Sequence, residues 1–311
     1  MRQRLIFMGT PPFAVASLEA LAQSYDIVAV VTQPDRPARR GRKMTASAVK
    51  RAALARGLPL MQPVSLREQE AVSRLRELEP QVMVVAAYGE ILRPEVLNIP
   101  PAGVVNVHPS LLPKHRGASP IVGALLAGEK ETGVTIMLMD EGMDTGPILA
   151  QRAAEICPED TLGSLENSLA LVGAELLLET LPLWLEGRID AQPQDDDRAT
   201  LTKPVSKKDA LIDWSQPAAE IWLRIRAFNP RPGAHTGWRG KMLKVLRGDP
   251  LAESGGKAQP GRVLDLPAGV GVATGQGVLL LQEIQLAGKR AMVIRDFVRG
   301  RRDFVGSLLG E

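Results

Sequence analysis

Cysteine is nearly absent from this chain: Cys157 stands alone among 311 residues. No internal disulfide can form and no thiolate metal cluster is available, which fits a reduced, cytosolic setting. Histidine is almost as scarce, with three in all. His108, His115 and His235 sit in unlike contexts, so no metal site is expected. No uninterrupted apolar run approaches the roughly 20 residues of a membrane-spanning helix, and no membrane partner is expected. The N-terminal "MRQRLIFMGTPPF" is basic, yet its apolar run is too short for a secretory signal and reads as a first strand. Two motifs are also missing. "FMGTPPF" at 7–13 has Gly9 but carries Pro11 where a G-x-G-x-x-G turn needs its second glycine, which argues against a NAD-type site. No G-x-S-x-G accompanies any candidate nucleophile.

What is present is ordinary globular composition, with 45% apolar and 23% charged residues, in a chain long enough for two domains. Apolar runs of strand length recur at 4–8 (RLIFM), 26–32 (DIVAVVT), 82–87 (VMVVAA), 103–108 (GVVNVH) and 133–139 (GVTIMLM). Helical patterns at Ala14–Leu21 and Leu66–Leu78 fall between them, and Leu162–Leu185 reads as a longer amphipathic helix. Continuous apolar strands alternating with helices predict an α/β fold with a parallel sheet covered on both faces. Periodicity stops at "DAQPQDDDRATLTKP", which has linker composition. Beyond it come one helix (AEIWLRIRAF) and short strands with glycine-rich turns, the pattern of a small β-barrel. The expected division is a catalytic domain at 1–189, a linker at 190–206 and a smaller domain at 207–311.

Charge is uneven along the chain. Residues 207–311 carry a net +7 and residues 1–206 a net −4. A basic last third suggests a polyanionic partner, with a plain solvated surface as the alternative. The stretch "QPDRPARRGRKMTASAVKR" at 33–51 adds Arg36, Arg39, Arg40, Arg42, Lys43, Lys50 and Arg51 against one acid, Asp35. Such a loop is commonly mobile surface, but seven cations also suit phosphate contact.

The candidate chemistry lies in "NVHPSLLPKHRGASPI" at 106–121. Asn106 and His108 are two apart, so in a strand they share one face, at the carboxyl end where α/β sites open. "MDEGMDTGPIL" at 139–149 follows another apolar strand and delivers Asp140, Glu141 and Asp144 on a glycine-rich loop. An amide, an imidazole and a carboxylate brought together could hold an oxyanion and move protons. Taken alone, His108 reads better as a hydrogen-bonded strand-end histidine; the carboxylate loop at 139–149 is what tips the balance towards chemistry.

These two stretches together resemble the signature of the folate-dependent formyltransferases. "GTPPFA", "VTQPDRPARRGRK", "LPLMQPVSLR", "VMVVAAYGEIL", "IDWSQPAAEIWLRIRAFNPRPGA" and "GKRAM" extend the match, in order, over essentially the whole chain, towards members acting on methionyl-tRNA. Pro109, His115 and the Pro-Pro-Phe of the first loop depart from the usual pattern. The resemblance implies a Rossmann-like catalytic domain and an oligonucleotide-binding-type (OB-like) C-terminal barrel. It implies transfer of a formyl group from 10-formyltetrahydrofolate to the α-amino group of initiator methionyl-tRNA, by a cytoplasmic monomer without a metal. Asn106 and protonated His108 would hold the carbonyl oxygen in the tetrahedral intermediate, with Asp144 supporting the imidazolium. Ser110, Leu111, Leu112 and Pro113 would form the folate loop, and Lys114 and Arg116 would meet an anion. Phe13 would wall the methionine side chain, while Arg40, Arg42 and Lys43 would grip the tRNA. A formyltransferase acting on a small amine, a 10-formyltetrahydrofolate hydrolase and a non-catalytic RNA-binding protein are the rivals. The small-amine enzyme would share the three catalytic residues without needing the basic loop.

Overall fold

The computed structural model describes residues 2–38, 43–252 and 258–310. They form two units. One comprises 1–120, 131–155 and 166–202; the other comprises 121–130, 156–165 and 203–311. The stretch expected as a linker is therefore divided. Its first part is tied to the first unit, where Gln192 exchanges backbone hydrogen bonds with Ile148.

In chain order the first half runs β1 (Arg4–Gly9), α1 (Phe13–Ser24), β2 (Asp26–Val31), β3 (Arg36–Ala38), β4 (Lys43–Thr45), α2 (Ala48–Ala55), β5 (Leu60–Met61) and α3 (Gln69–Glu77). It continues through β6 (Val82–Ala86), α4 (Pro94–Leu97), β7 (Val104–His108), β8 (Arg116–Gly117), α5 (Pro120–Leu126), β9 (Glu131–Leu138), β10 (Ile148–Glu155), α6 (Leu162–Leu185) and β11 (Leu201–Thr202). Seven strands make the main sheet in the order β10-β9-β7-β6-β1-β2-β5. Strands β5, β2, β1, β6 and β7 are parallel, and the chain reverses direction across the sheet between β1 and β6. That Rossmann-like switch point is where open α/β sheets bind ligands.

The central strands are buried on both faces, and this is why they read as unbroken apolar runs. On one face Ile6, Met8, Met83, Val85 and Val104 pack with Val72 and Leu75 of α3. The period of two places Asn106 and His108 on that same face, continuing from Val104. The other face receives α6. A Cβ on Gly173 of α6 would lie 2.9 Å from the Val107 side chain, so only glycine allows this approach to the sheet. Among the described residues α6 alone is long and apolar enough to cross a membrane. Its Leu165, Leu169, Leu177 and Leu181 are instead buried.

One strand departs from the sequence expectation. β9 runs antiparallel to β7, with His108 opposite Thr135 and Val105 opposite Leu138. The chain therefore leaves β9 at the amino-terminal side of β7, and the 139–147 loop returns to bring Asp144 beside His108.

The second unit adds α7 (Ala218–Phe228), β12 (His235–Trp238), β13 (Lys241–Leu251), β14 (Val263–Leu266), β15 (Gly269–Ala273), β16 (Val278–Leu286), β17 (Met292–Val293) and α8 (Ile294–Gly300). Its sheet is antiparallel, ordered β12-β13-β16-β15-β14, with β17 beside β16. The register shifts around Arg247 and Gly248 of β13, and such bulges bend a strand and curl its sheet. Ile221 and Ile225 of α7 and an edge-to-face cluster of Trp238, Phe297 and Phe304 fill this OB-like half-barrel.

Candidate active site

A cavity of about 670 Å³ opens beside β6 and β7. Val85, Leu92, Val107, Met137 and Met139 give it an apolar wall, while Asn106, His108 and Asp144 bring polar atoms to it. Asn106 and His108 are 8% and 4% exposed. The Asn106 carboxamide has no hydrogen-bond partner among the described residues, so its N–H groups remain available to a molecule in the cavity.

His108 lies between two acceptors. Its Nε2 donates to the His115 carbonyl at 3.2 Å, and its Nδ1 lies 3.7 Å from Asp144 Oδ2. The His115 contact puts the proton of a neutral ring on Nε2, leaving Nδ1 turned to the carboxylate. Burial pulls the His108 pKa below its ordinary value; the Asp144 carboxylate and the His115 carbonyl oppose this without overcoming it. The sequence reading expects an imidazolium here. The direction of the shift favours neutral imidazole, because a largely buried ring loses more hydration on charging than one carboxylate at that distance returns.

Asp144 is held firmly. Its Oδ2 accepts from the Gly117 N–H at 2.7 Å, and its backbone is in the left-handed region at φ 55°. Asp tolerates that conformation at a cost of roughly 1–2 kcal/mol. Gly117 is constrained as well: at φ 105°, a Cβ there would lie 2.4 Å from the Thr202 carbonyl oxygen. Gly117→Ala is expected to destabilise the protein by about 2–4 kcal/mol, combining backbone strain with displaced hydrogen bonds. Urea unfolding checks this, and an unchanged midpoint would show the approach to be soft.

Residues 2–181 match the formyl transferase family and residues 204–302 match its C-terminal domain. The chain belongs to the formyl transferase family. It is 51% identical over 312 residues to the methionyl-tRNA formyltransferase of Roseiflexus castenholzii (strain DSM 13941 / HLO8), with 100% of each chain covered. To that of Myxococcus xanthus (strain DK1622) it is 47% identical over 307 residues, covering 98% of this chain and 97% of the relative. Two solved structures share the fold. An N-formyltransferase from Helicobacter canadensis in complex with folinic acid and dTDP-3-aminofucose superposes with TM-score 0.66 at 20% identity, over 90% of this chain and 99% of the other. HypX from Aquifex aeolicus in complex with tetrahydrofolic acid gives 0.63 at 18%, over 96% of this chain and 47% of that longer one.

Of the site residues expected from sequence, this formyl transferase brings Asn106, His108 and Asp144 together at one cavity. Ser110–Pro113 do not line it. Ser110 and Leu112 are buried, Ser110 Oγ donates to the Lys114 carbonyl, and the Leu112 N–H donates to Thr135 Oγ1. That loop packs on the sheet because its apolar side chains find protein neighbours: Leu111 reaches Gly133 and Leu112 is enclosed. Phe13 is buried at the start of α1 and does not line the cavity either. Arg116 is not open to an anion. Its side chain, 6% exposed, bonds Gln194 Oε1 and Asp196 Oδ1. Arg40 and Arg42 lie outside the described residues, and Lys43 is placed by its backbone alone, opposite Ala38 in the β3–β4 hairpin. Lys50 of the basic stretch is paired with Asp35 at 2.8 Å.

Sequence reasoning missed residues 88–92, which form one side of the cavity. Their signal was position: "AAYGEIL" begins where β6 ends, next to the switch point. The Tyr88 phenol there is buried and kept protonated by that burial and by nearby Glu90.

Proposed function

We propose that this formyl transferase moves the formyl group of 10-formyltetrahydrofolate to the α-amino group of methionyl-tRNA, initiator tRNA being the natural acceptor. The observation that carries the chemistry is the meeting of a buried amide, an imidazole and a carboxylate at one cavity. The amine nitrogen attacks the formyl carbon, and the carbonyl oxygen gains negative charge. Asn106 donates to that oxygen from a desolvated position, where a hydrogen bond to charge is strong. His108 takes the proton that the amine loses and returns it to the departing N10, and Asp144 stabilises the imidazolium formed in between. Nothing is left over: one C–N bond breaks, one forms, and one proton changes nitrogen. Apolar Val85, Leu92 and Met139 suit the flat ring system of a folate, while the exposed Ile91 and Met143 flank the cavity.

Full-length similarity to methionyl-tRNA formyltransferases supports the acceptor. The 207–311 region supplies the matching charge, with Lys289, Arg290, Arg295, Arg301 and Arg302 all exposed. The protein would act as a cytoplasmic monomer without a metal. Catalysis would belong to 1–189 and the adjoining 190–202, and RNA contact to 207–311 and the basic stretch at 33–51. The function is tested with labelled 10-formyltetrahydrofolate and charged methionyl-tRNA, with a nucleotide-linked amino sugar in parallel. Label in the methionyl ester is expected. Label released only as formate, or moved only to the sugar, would overturn the assignment. Replacing Lys289, Arg290 and Arg301 with Ala should make tRNA binding less salt-dependent, by about 0.7–0.9 in slope for each phosphate no longer neutralised. An unchanged slope would show that this face does not meet RNA.

A further inference from the structure

We propose that Gln194 is a positioning residue for His108, acting through the backbone that carries Asp144. Gln194 lies in the stretch whose composition suggested a linker. Its Nε2 donates to the carbonyls of Asp144 at 2.8 Å and of Gly146 at 2.7 Å. Its Oε1 accepts from Arg116 Nε at 3.0 Å and Nη2 at 2.8 Å. Both donors and the carbonyl oxygen of one side chain are engaged, so a reversed carboxamide would set oxygen against carbonyls and N–H against guanidinium. The orientation is unique.

The same segment holds the other neighbour of His108. The His115 N–H donates to Thr200 Oγ1 at 2.8 Å, and the Arg116 N–H to the Thr200 carbonyl at 2.9 Å. Thr202 Oγ1 donates to the Arg116 carbonyl at 3.0 Å. Residues 194–202 therefore fasten both backbone segments that present an acceptor to the imidazole: 115–117, with the His115 carbonyl, and 144–146, with the Asp144 carboxylate. Arg116 joins the two, since its guanidinium is bound by Gln194 and Asp196 from that segment. The charged and titratable groups around His108 are Asp144 and His115, with Tyr88, Glu90, Asp140 and Glu141 further round the cavity. Of these, Asp144 alone is placed by Gln194.

Gln194→Glu is the discriminating substitution. It keeps the length and the acceptor for Arg116 but cannot donate to the two carbonyls. The loop should slacken, Asp144 should move away from Nδ1, and the imidazolium should lose support. In the full chain, kcat should fall about 10- to 100-fold, the range for a small misplacement of reacting groups, with KM for either substrate little changed. In an Asp144→Asn background the same change should cost almost nothing further, because both act through one carboxylate. The His108 pKa, read by NMR from its imidazole signals in the resting protein, should drop in Gln194→Glu in the same direction as in Asp144→Asn. Asp196→Ala alters an exposed residue and loosens only Arg116, so it tests the brace even if Gln194→Glu folds poorly; a smaller drop is expected. An unmoved His108 pKa in the folded variants, or full additivity with Asp144→Asn, would overturn the role. The kinetic arms rest on the proposed formyl transfer, whereas the NMR arm does not. Absent transfer with a shifted His108 would sink the function and leave the brace standing.

Discussion

Asn106→Ala should lower turnover by about 10²–10³-fold, the usual loss when one oxyanion donor is removed. The amide is 8% exposed, so water cannot readily substitute for it, and it has no described partner whose loss would disturb the fold. The effect should therefore fall on kcat more than on folate binding, since the apolar wall of Val85, Leu92 and Met139 stays intact. His108→Ala should cost at least as much, since a positioned acid–base group contributes about 10²–10⁴-fold. Near-normal kcat in either variant would remove that residue from the mechanism.

Asp144→Asn should reduce turnover by about 10²-fold and change its pH dependence in a defined direction. The carboxylate raises the His108 pKa against the effect of burial. Removing its charge lets that pKa fall further, so the ring stays neutral to lower pH. The acceptor amine must also be neutral to attack, so the profile rises through two ionisations, and only the lower should move, towards acid. The same linkage bears on stability. A histidine whose pKa is depressed on folding contributes fully above about 6.5, and that contribution is lost as pH falls through the folded pKa. Asp144→Asn should enlarge this acid sensitivity. Asp140→Asn is the control: Asp140 Oδ1 accepts from Gly142 N–H and Thr145 Oγ1 within its own loop, and its loss should matter less. An unmoved lower limb in Asp144→Asn would assign Asp144 to structure alone.

Of the parallel strands, β1, β6 and β7 were legible because burial on both faces leaves them largely apolar, whereas the two-residue β5 left no such run. Asn106 and His108 stand out against that background as the polar pair on one face. β10 was missed because it is an edge strand of mixed polarity, "ILAQRAAE", with no buried residue. An apolar loop such as Ser110–Pro113 reads the same whether its side chains meet a ligand or the core; here Leu112 is buried while Leu111 and Pro113 are partly exposed. The protonation of His108 depends on enclosure by residues remote in sequence, which no local pattern reports. Gln194 was hidden for the same reason. Its partners lie 50 residues away at Asp144 and 78 away at Arg116, and a Gln among Pro and Asp looks like linker until those contacts form.

The chemistry assigned to this site depends on one protonation state, and ¹⁵N NMR of the His108 imidazole in the intact protein measures it directly. At about pH 7 the ring should be neutral, with its proton on Nε2 and a pKa below the ordinary 6.5. A doubly protonated ring at that pH would mean an imidazolium donor in the resting enzyme and would contradict the role of His108 as the base.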